Sequence, residues 1–353
     1  MCSGNKLKFV PGTGSDLIVN GVLDVRVPSK VAGKTASYVE SEVNSEVIRL
    51  VGAMTKWEHV MYILPKSVDF NSAAAFAYIG WYRSVYSDDY SSDFLVLVHE
   101  IGHNLGKYHS GARGTTYGDG TCMMGSHLYD DEAPKSCFNG AKSWFFGWYS
   151  DRHAEINPVT SWEGKLVGID DYLNNQIPAK SLDFHVIVKI GDLFMMYNRK
   201  EGVNAQVTEK GDMVTIVAQS GENQQSWLLG GFSEETDEFR SYNWEKKGND
   251  LVIKVCDRVS GTPDYARVIV FLDDRINTLS CSASQSPTVS TSPTLSPTFT
   301  RRPSTIIPTQ MPTIGTSFSG FHNSVQSGTI SNLFKSHNIV TIQFIVCLGL
   351  LFY

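Results

Sequence analysis

The chain has 353 residues, enough for two ordinary domains with tails attached. Its 30 Lys and Arg against 36 Asp and Glu leave a formal net charge of −6, with no basic run, which argues against a nucleic-acid partner. Aromatic residues are plentiful (7 Trp, 15 Tyr) and dense from Trp144 to Tyr149, where they read as core or turn support, with a ligand-gripping wall as the alternative.

Met1 to Val10 has no apolar h-region and carries Lys6 and Lys8, so it is not a signal peptide. Leu17 to Val27 alternates enough for a strand, and Val39, Val43 and Val47 recur every four residues, with Leu50 and Val51 after them, as on a buried helix face. Val60 to Leu64 reads as a strand stopped by Pro65. Asn71 to Tyr86 is rich in Ala and aromatics and is expected to be a helix or helical hairpin. Up to this point the pattern is α/β.

Ser92 or Asp93 can N-cap a following helix that opens with the apolar run Phe94 to Val98. That helix runs into His99-Glu100-Ile101-Gly102-His103-Asn104-Leu105-Gly106-Lys107-Tyr108-His109, an H-E-x-x-H-x-x-G-x-x-H pattern. On a helix, His99 and His103 lie one turn apart on one face. Gly106 can take the left-handed backbone of a helix end and turn the chain so that His109 returns as a third nitrogen ligand. Three neutral imidazoles with a fourth position open to water describe a catalytic Zn2+ site, and Glu100 lies close enough to act on that water.

The motif with a Met-turn downstream resembles the metzincin metallopeptidases. The wording His-Glu-Ile-Gly-His-Asn-Leu-Gly, followed by Tyr117-Gly118-Asp119-Gly120-Thr121-Cys122-Met123-Met124-Gly125, is similar to the gametolysin peptidases. Cys137-Phe138-Asn139, Ala141-Lys142-Ser143-Trp144, Gly147-Trp148-Tyr149, Tyr197-Asn198-Arg199 and Glu201-Gly202 extend the likeness over roughly residues 15 to 280. The resemblance implies a zinc endopeptidase with Met124 as the methionine beneath the imidazoles and Glu100 as general base. Its substrates would be Pro-rich proteins of cell wall or matrix, bound as an added antiparallel strand along the sheet edge at Glu58 to Leu64. Ordinary imidazoles would lose the metal below about pH 6. No oxyanion helper can be assigned; Tyr129 lies near the Met-turn, but its spacing fits a surface aromatic better. The alternative is a catalytically silent adhesion or matrix-binding protein of the same fold, which would tolerate loss of Glu100; here Glu100 is intact.

From about Glu155 short β-rich runs follow one another: Leu166 to Ile169, Phe184 to Ile190, Leu193 to Tyr197, Met213 to Ala218, Leu251 to Val255 and Arg267 to Leu272. The expected architecture is a metzincin-like α/β catalytic domain (1–154), a β-sandwich-like accessory domain (155–281), a disordered Ser/Thr/Pro-rich stalk (282–338) and an apolar tail (339–353). Six of the 13 prolines fall between Pro287 and Pro312, in Ser-Pro-Thr and related repeats. Ile339 to Tyr353 is short for a bilayer span. With the small residues Ser327-Gly328-Thr329 and the polar spacer Ile330 to Asn338, it reads as a GPI-anchor signal with Ser327 as the attachment site; a short tail anchor is the rival. The protein is therefore expected outside the cell, held to the membrane by its C-terminus, with a signal and a latency segment upstream of Met1. Cysteine usage fits an oxidising compartment, and the expected bridges are Cys122–Cys137 and Cys256–Cys281, with Cys2 lacking an evident partner. Oligomeric state is not legible.

Overall fold

The computed structural model describes residues 2–125, 136–179, 181–234, 238–273 and 281, and the backbone of 339–348 with the Val340 side chain. The first half runs β1 (Lys8–Pro11), β2 (Val22–Arg26), α1 (Ala36–Val51), β3 (His59–Leu64), β4 (Ala75–Ala77), β5 (Arg83–Ser87), α2 (Phe94–Asn104), β6 (Ser110–Ala112) and α3 (Gly140–Phe146). There follow β7 (His153–Glu155), β8 (Trp162–Val167), α4 (Ile169–Leu173), β9 (Phe184–His185), β10 (Ile187–Ile190), β11 (Leu193–Asn198) and β12 (Met213–Ala218). The last are β13 (Ser226–Phe232), β14 (Phe239–Ser241), β15 (Asp250–Val259), β16 (Tyr265–Asp273) and β17 (Ile339–Leu348). Among the described residues the result is a mixed α/β structure with three sheets and few helices.

The first sheet has the order β1-β17-β3-β5-β4, with β2 also paired to β17. Helix α1 covers one face. Thr35 caps it by accepting the Tyr38 N–H, and the expected stripe Val39, Val43 and Val47 is fully buried against Val25, Val60, Tyr62 and Val85. Helix α2 packs on the opposite face, where Val96 meets Met61 and Tyr86.

Two expectations fail in this sheet. Asn71 to Tyr86 is not helical but forms the antiparallel pair β4 and β5. Gly80, at φ 67°, breaks any helix there, and Val85 and Tyr86 fit a pleated strand buried on both faces. The segment Glu58 to Leu64 is not an edge: β3 is wholly buried between β5, its parallel neighbour, and β17. An unbroken apolar run such as Val60 to Leu64 belongs in a sheet interior, where both faces are covered. The antiparallel strand beside β3 is the chain's own β17, and the edge near α2 is β4.

The apolar tail thus supplies a strand, pairing with β3 on one side and with β2 and β1 on the other. No helix of the described residues is long and apolar enough to cross a membrane. Ser327 and the stretch 282–338 lie outside the described residues.

The second sheet runs β6-β13-β12-β11-β10-β7 and the third β14-β15-β16-β8-β9. Alternate residues of both, among them Val188, Met195, Ile216, Leu251, Ile253 and Val268, form one apolar layer. The expected boundary at 154/155 falls inside β7, and β6 pairs with β13 from the far side of that boundary, so the second sheet draws on both halves. Cys256 and Cys281 are bridged as expected. Cys137, however, is bonded to Cys2, and Cys122 is a free, buried thiol. Although the Met123 N–H donates to the Cys137 carbonyl, the Cys122 sulfur faces inward, accepting from Ser110 Oγ and the Asn139 N–H. The partner of Cys137 arrives from 135 residues away, and the Tyr149 hydroxyl holds it by donating to the Cys2 carbonyl.

Candidate metal centre

Helix α2 is fixed at its start by Asp93, whose carboxylate accepts the N–H groups of Leu95 and Val96 at 2.8 and 3.2 Å. Its last turn carries the motif. At its end Gly106 takes φ 81°, and the N–H groups of Gly106 and Lys107 donate to the carbonyls of His103 and Gly102. The chain then doubles back through His109 into β6.

His99, His103 and His109 converge, with candidate ligand atoms all within 4.8 Å of one another. Backbone carbonyls hold two of the rings: His99 Nδ1 lies 3.0 Å from the Met123 oxygen and His103 Nδ1 2.7 Å from the Lys107 oxygen. Donation from Nδ1 leaves Nε2 as the lone-pair nitrogen, the second-sphere arrangement that orients imidazole ligands. The His103 and His109 Nε2 atoms stand 3.1 Å apart. Two nitrogens on a tetrahedral zinc with ordinary bond lengths lie about 3.3 Å apart. Burial holds the His103 imidazole below its ordinary pKa and, with His103 and Lys142 nearby, takes His109 down to about 4. His103 and His109 therefore stay neutral further into acid than ordinary imidazoles do.

Glu100 is buried, and its Oε2 has no hydrogen-bond partner among the described residues. Burial raises its carboxyl to about 8. An orphaned carboxylate beside three inward-facing imidazole nitrogens fits a bound cation with an associated water, which would supply both charge and a hydrogen bond.

Met124 is fully buried under the helix at Gly102, where an added Cβ would stand 2.4 Å from its sulfur. The loop that carries Met124 is tied down by Asp119, which is fully buried and accepts from the Thr121 N–H, the Thr121 hydroxyl and the Asn139 amide. Gly125 closes the loop so tightly that a Cβ would meet the Asp119 oxygen at 1.8 Å. Phe146 and Trp148 stack at 4.3 Å beside Phe138, so the aromatic run is largely core, as expected.

Two residues near the site carry no role in the sequence reading. Tyr117 lays its ring 4.1 Å from that of His109, whereas Tyr129 lies outside the described residues. Lys142 is fully buried, its Nζ is without a partner among the described residues, and burial lowers it to about 8. A position within a motif match was the only signal for either.

The family model described as Gametolysin peptidase M11 matches residues 2–182, a span that holds the three imidazoles, Glu100 and Met124. No curated protein and no solved structure matches the chain.

Proposed function

From the chain's membership of the gametolysin peptidase M11 family, which makes it a metallopeptidase, we propose a zinc-dependent endopeptidase with His99, His103 and His109 as ligands and Glu100 as general base. The observation that carries this reading is the Glu100 oxygen, unpartnered among the described residues, beside three converging imidazoles. Zinc bound there would act as a Lewis acid and lower the pKa of a coordinated water. Glu100, with a carboxyl raised by burial, is suited both to taking a proton from the attacking water and to returning it to the leaving amine.

The edge strand β4 lies against α2 and, among the described residues, is paired only to β5. We place an extended substrate along its free side, and the substrates proposed are Pro-rich matrix or cell-wall proteins, whose chains are already extended as polyproline II. The two disulfides support an extracellular location. A lipid anchor at Ser327 remains the proposed tether, with the corollary that attachment would remove β17 along with the cleaved signal.

The test pairs metal content with casein and gelatin cleavage for the full chain and Glu100→Ala. About one zinc per chain in both, with cleavage by the wild type alone, supports the mechanism. Zinc in both and cleavage in neither, matrix glycoprotein included, favours a silent adhesion protein. Release of the protein from cells by a phosphoinositide-specific phospholipase tests the anchor.

A further inference from the structure

We propose that Tyr117 is a further catalytic residue, whose phenol hydroxyl donates a hydrogen bond to the scissile carbonyl oxygen as it becomes an oxyanion. The inference rests on the peptidase reading above and names the group that reading leaves out. Glu100 handles the protons of water and amine, and the substrate oxygen needs a donor of its own.

The ring of Tyr117 lies 4.1 Å from His109 at 44° and 6.0 Å from His99 at 33°, so it sits beside two of the three imidazoles. At 38% exposure it faces solvent rather than core, and its hydroxyl makes no hydrogen bond among the described residues. The backbone beneath is fixed. Gly118 packs so closely on β6 that an added Cβ would stand 2.6 Å from the Ala112 oxygen, and its N–H donates to Thr115. A donor held in this way needs little reorganisation when charge develops.

Other donors near the triad are committed or shut away. Lys107 is buried and paired with Glu222, and Lys142 is fully buried. The Asn104 amide donates to the carbonyls of Tyr78 and Arg83. Tyr117 itself gains and loses no proton: the water adds to the carbonyl carbon, the C–N bond breaks, and the phenol O–H stays intact while it donates.

Tyr117→Phe in the full chain keeps the ring over His109 and removes only the hydroxyl; Tyr117→Ala removes both. For Tyr117→Phe the expected result is zinc affinity equal to wild type by chelator competition, an unchanged KM and a kcat about 100-fold lower. A phosphinic peptide that mimics the tetrahedral oxygen should bind more weakly by a similar factor, while a product peptide binds as before. Tyr117→Phe cleaving at the wild-type rate overturns the inference, as does loss of activity in step with loss of zinc, since that is what a ring bracing His109 would give. A wild type that holds zinc and cleaves nothing overturns the peptidase reading and this inference together, whereas an active wild type with an unaffected Tyr117→Phe overturns this inference alone.

Discussion

Replacing Glu100 with Gln in the metal-free protein separates the charge of this side chain from its shape. Burial raises the carboxyl from 4.5 to about 8, so the folded state holds a proton that the unfolded state has released between those values. A group raised in this way contributes stability that is intact below pH 4.5 and is lost as pH rises through about 8. At roughly 1.4 kcal/mol per pH unit the loss is on the order of 5 kcal/mol. Glutamine does not titrate and loses nothing. His103 and His109, both lowered by burial, give the opposite slope below their ordinary pKa, but they do so in both proteins and cancel in the comparison. Calorimetry of chelator-stripped wild type and Glu100→Gln from pH 5 to pH 9 should show melting curves that diverge with pH. The mutant should end on the order of 10 °C higher at pH 9, given a few degrees per kcal/mol for a chain of this size. Restoring zinc should narrow the gap, because a nearby cation favours the carboxylate. Parallel melting temperatures across the range would refute the claim that Glu100 is an uncompensated buried acid.

Gly102→Ala would push a methyl group into the Met124 sulfur, and we expect a loss of about 1–3 kcal/mol with weakened zinc retention, read by thermal melts and chelator competition. Lys142→Met removes a buried amine lowered from 10.5 to about 8, a penalty that is full below pH 8 and gone above 10.5. The variant should therefore melt higher than wild type at pH 7, by on the order of 3 kcal/mol, with the gain shrinking towards pH 10. Equal gains at both pH values would contradict this. Cys2→Ser should cost about 2–5 kcal/mol and leave Cys137 and Cys122 both as free thiols in peptide maps, because the Cys122 sulfur faces inward. Finding those two bridged to each other would show that the inward orientation is not fixed.

The metal centre was legible because its information is local. His99, Glu100, His103, Gly106 and His109 are spaced by helix geometry and one glycine turn, and the three imidazoles converge as that spacing requires. The α1 stripe was legible through its four-residue period, and most strands after residue 155 through short β-rich runs set between turn residues. What failed depended on partners distant in the chain. Ala-rich 71–86 has helix-like composition, and its strand character comes from the covering helices. Tyr117 lies against His109 from a loop whose Gly118 packs on β6, and Cys137 bonds to Cys2 while the Cys122 sulfur faces inward. Neither is written in any spacing.

Strand β17 makes the first sheet a joint product of the two ends of the chain. On the ribosome, β2, α1 and β3 emerge long before Ile339–Leu348, so β2 and β3 must wait with open hydrogen-bonding ladders while the intervening sheets are made. Closing so large a loop is slow, and unpaired strands are the places where other chains attach, which makes this interval the one in which the nascent protein needs protection. The same geometry means that a nick anywhere in 282–338 need not release β17, which is gripped by backbone hydrogen bonds from both sides. A cut chain would migrate as two pieces in denaturant and as one in its absence.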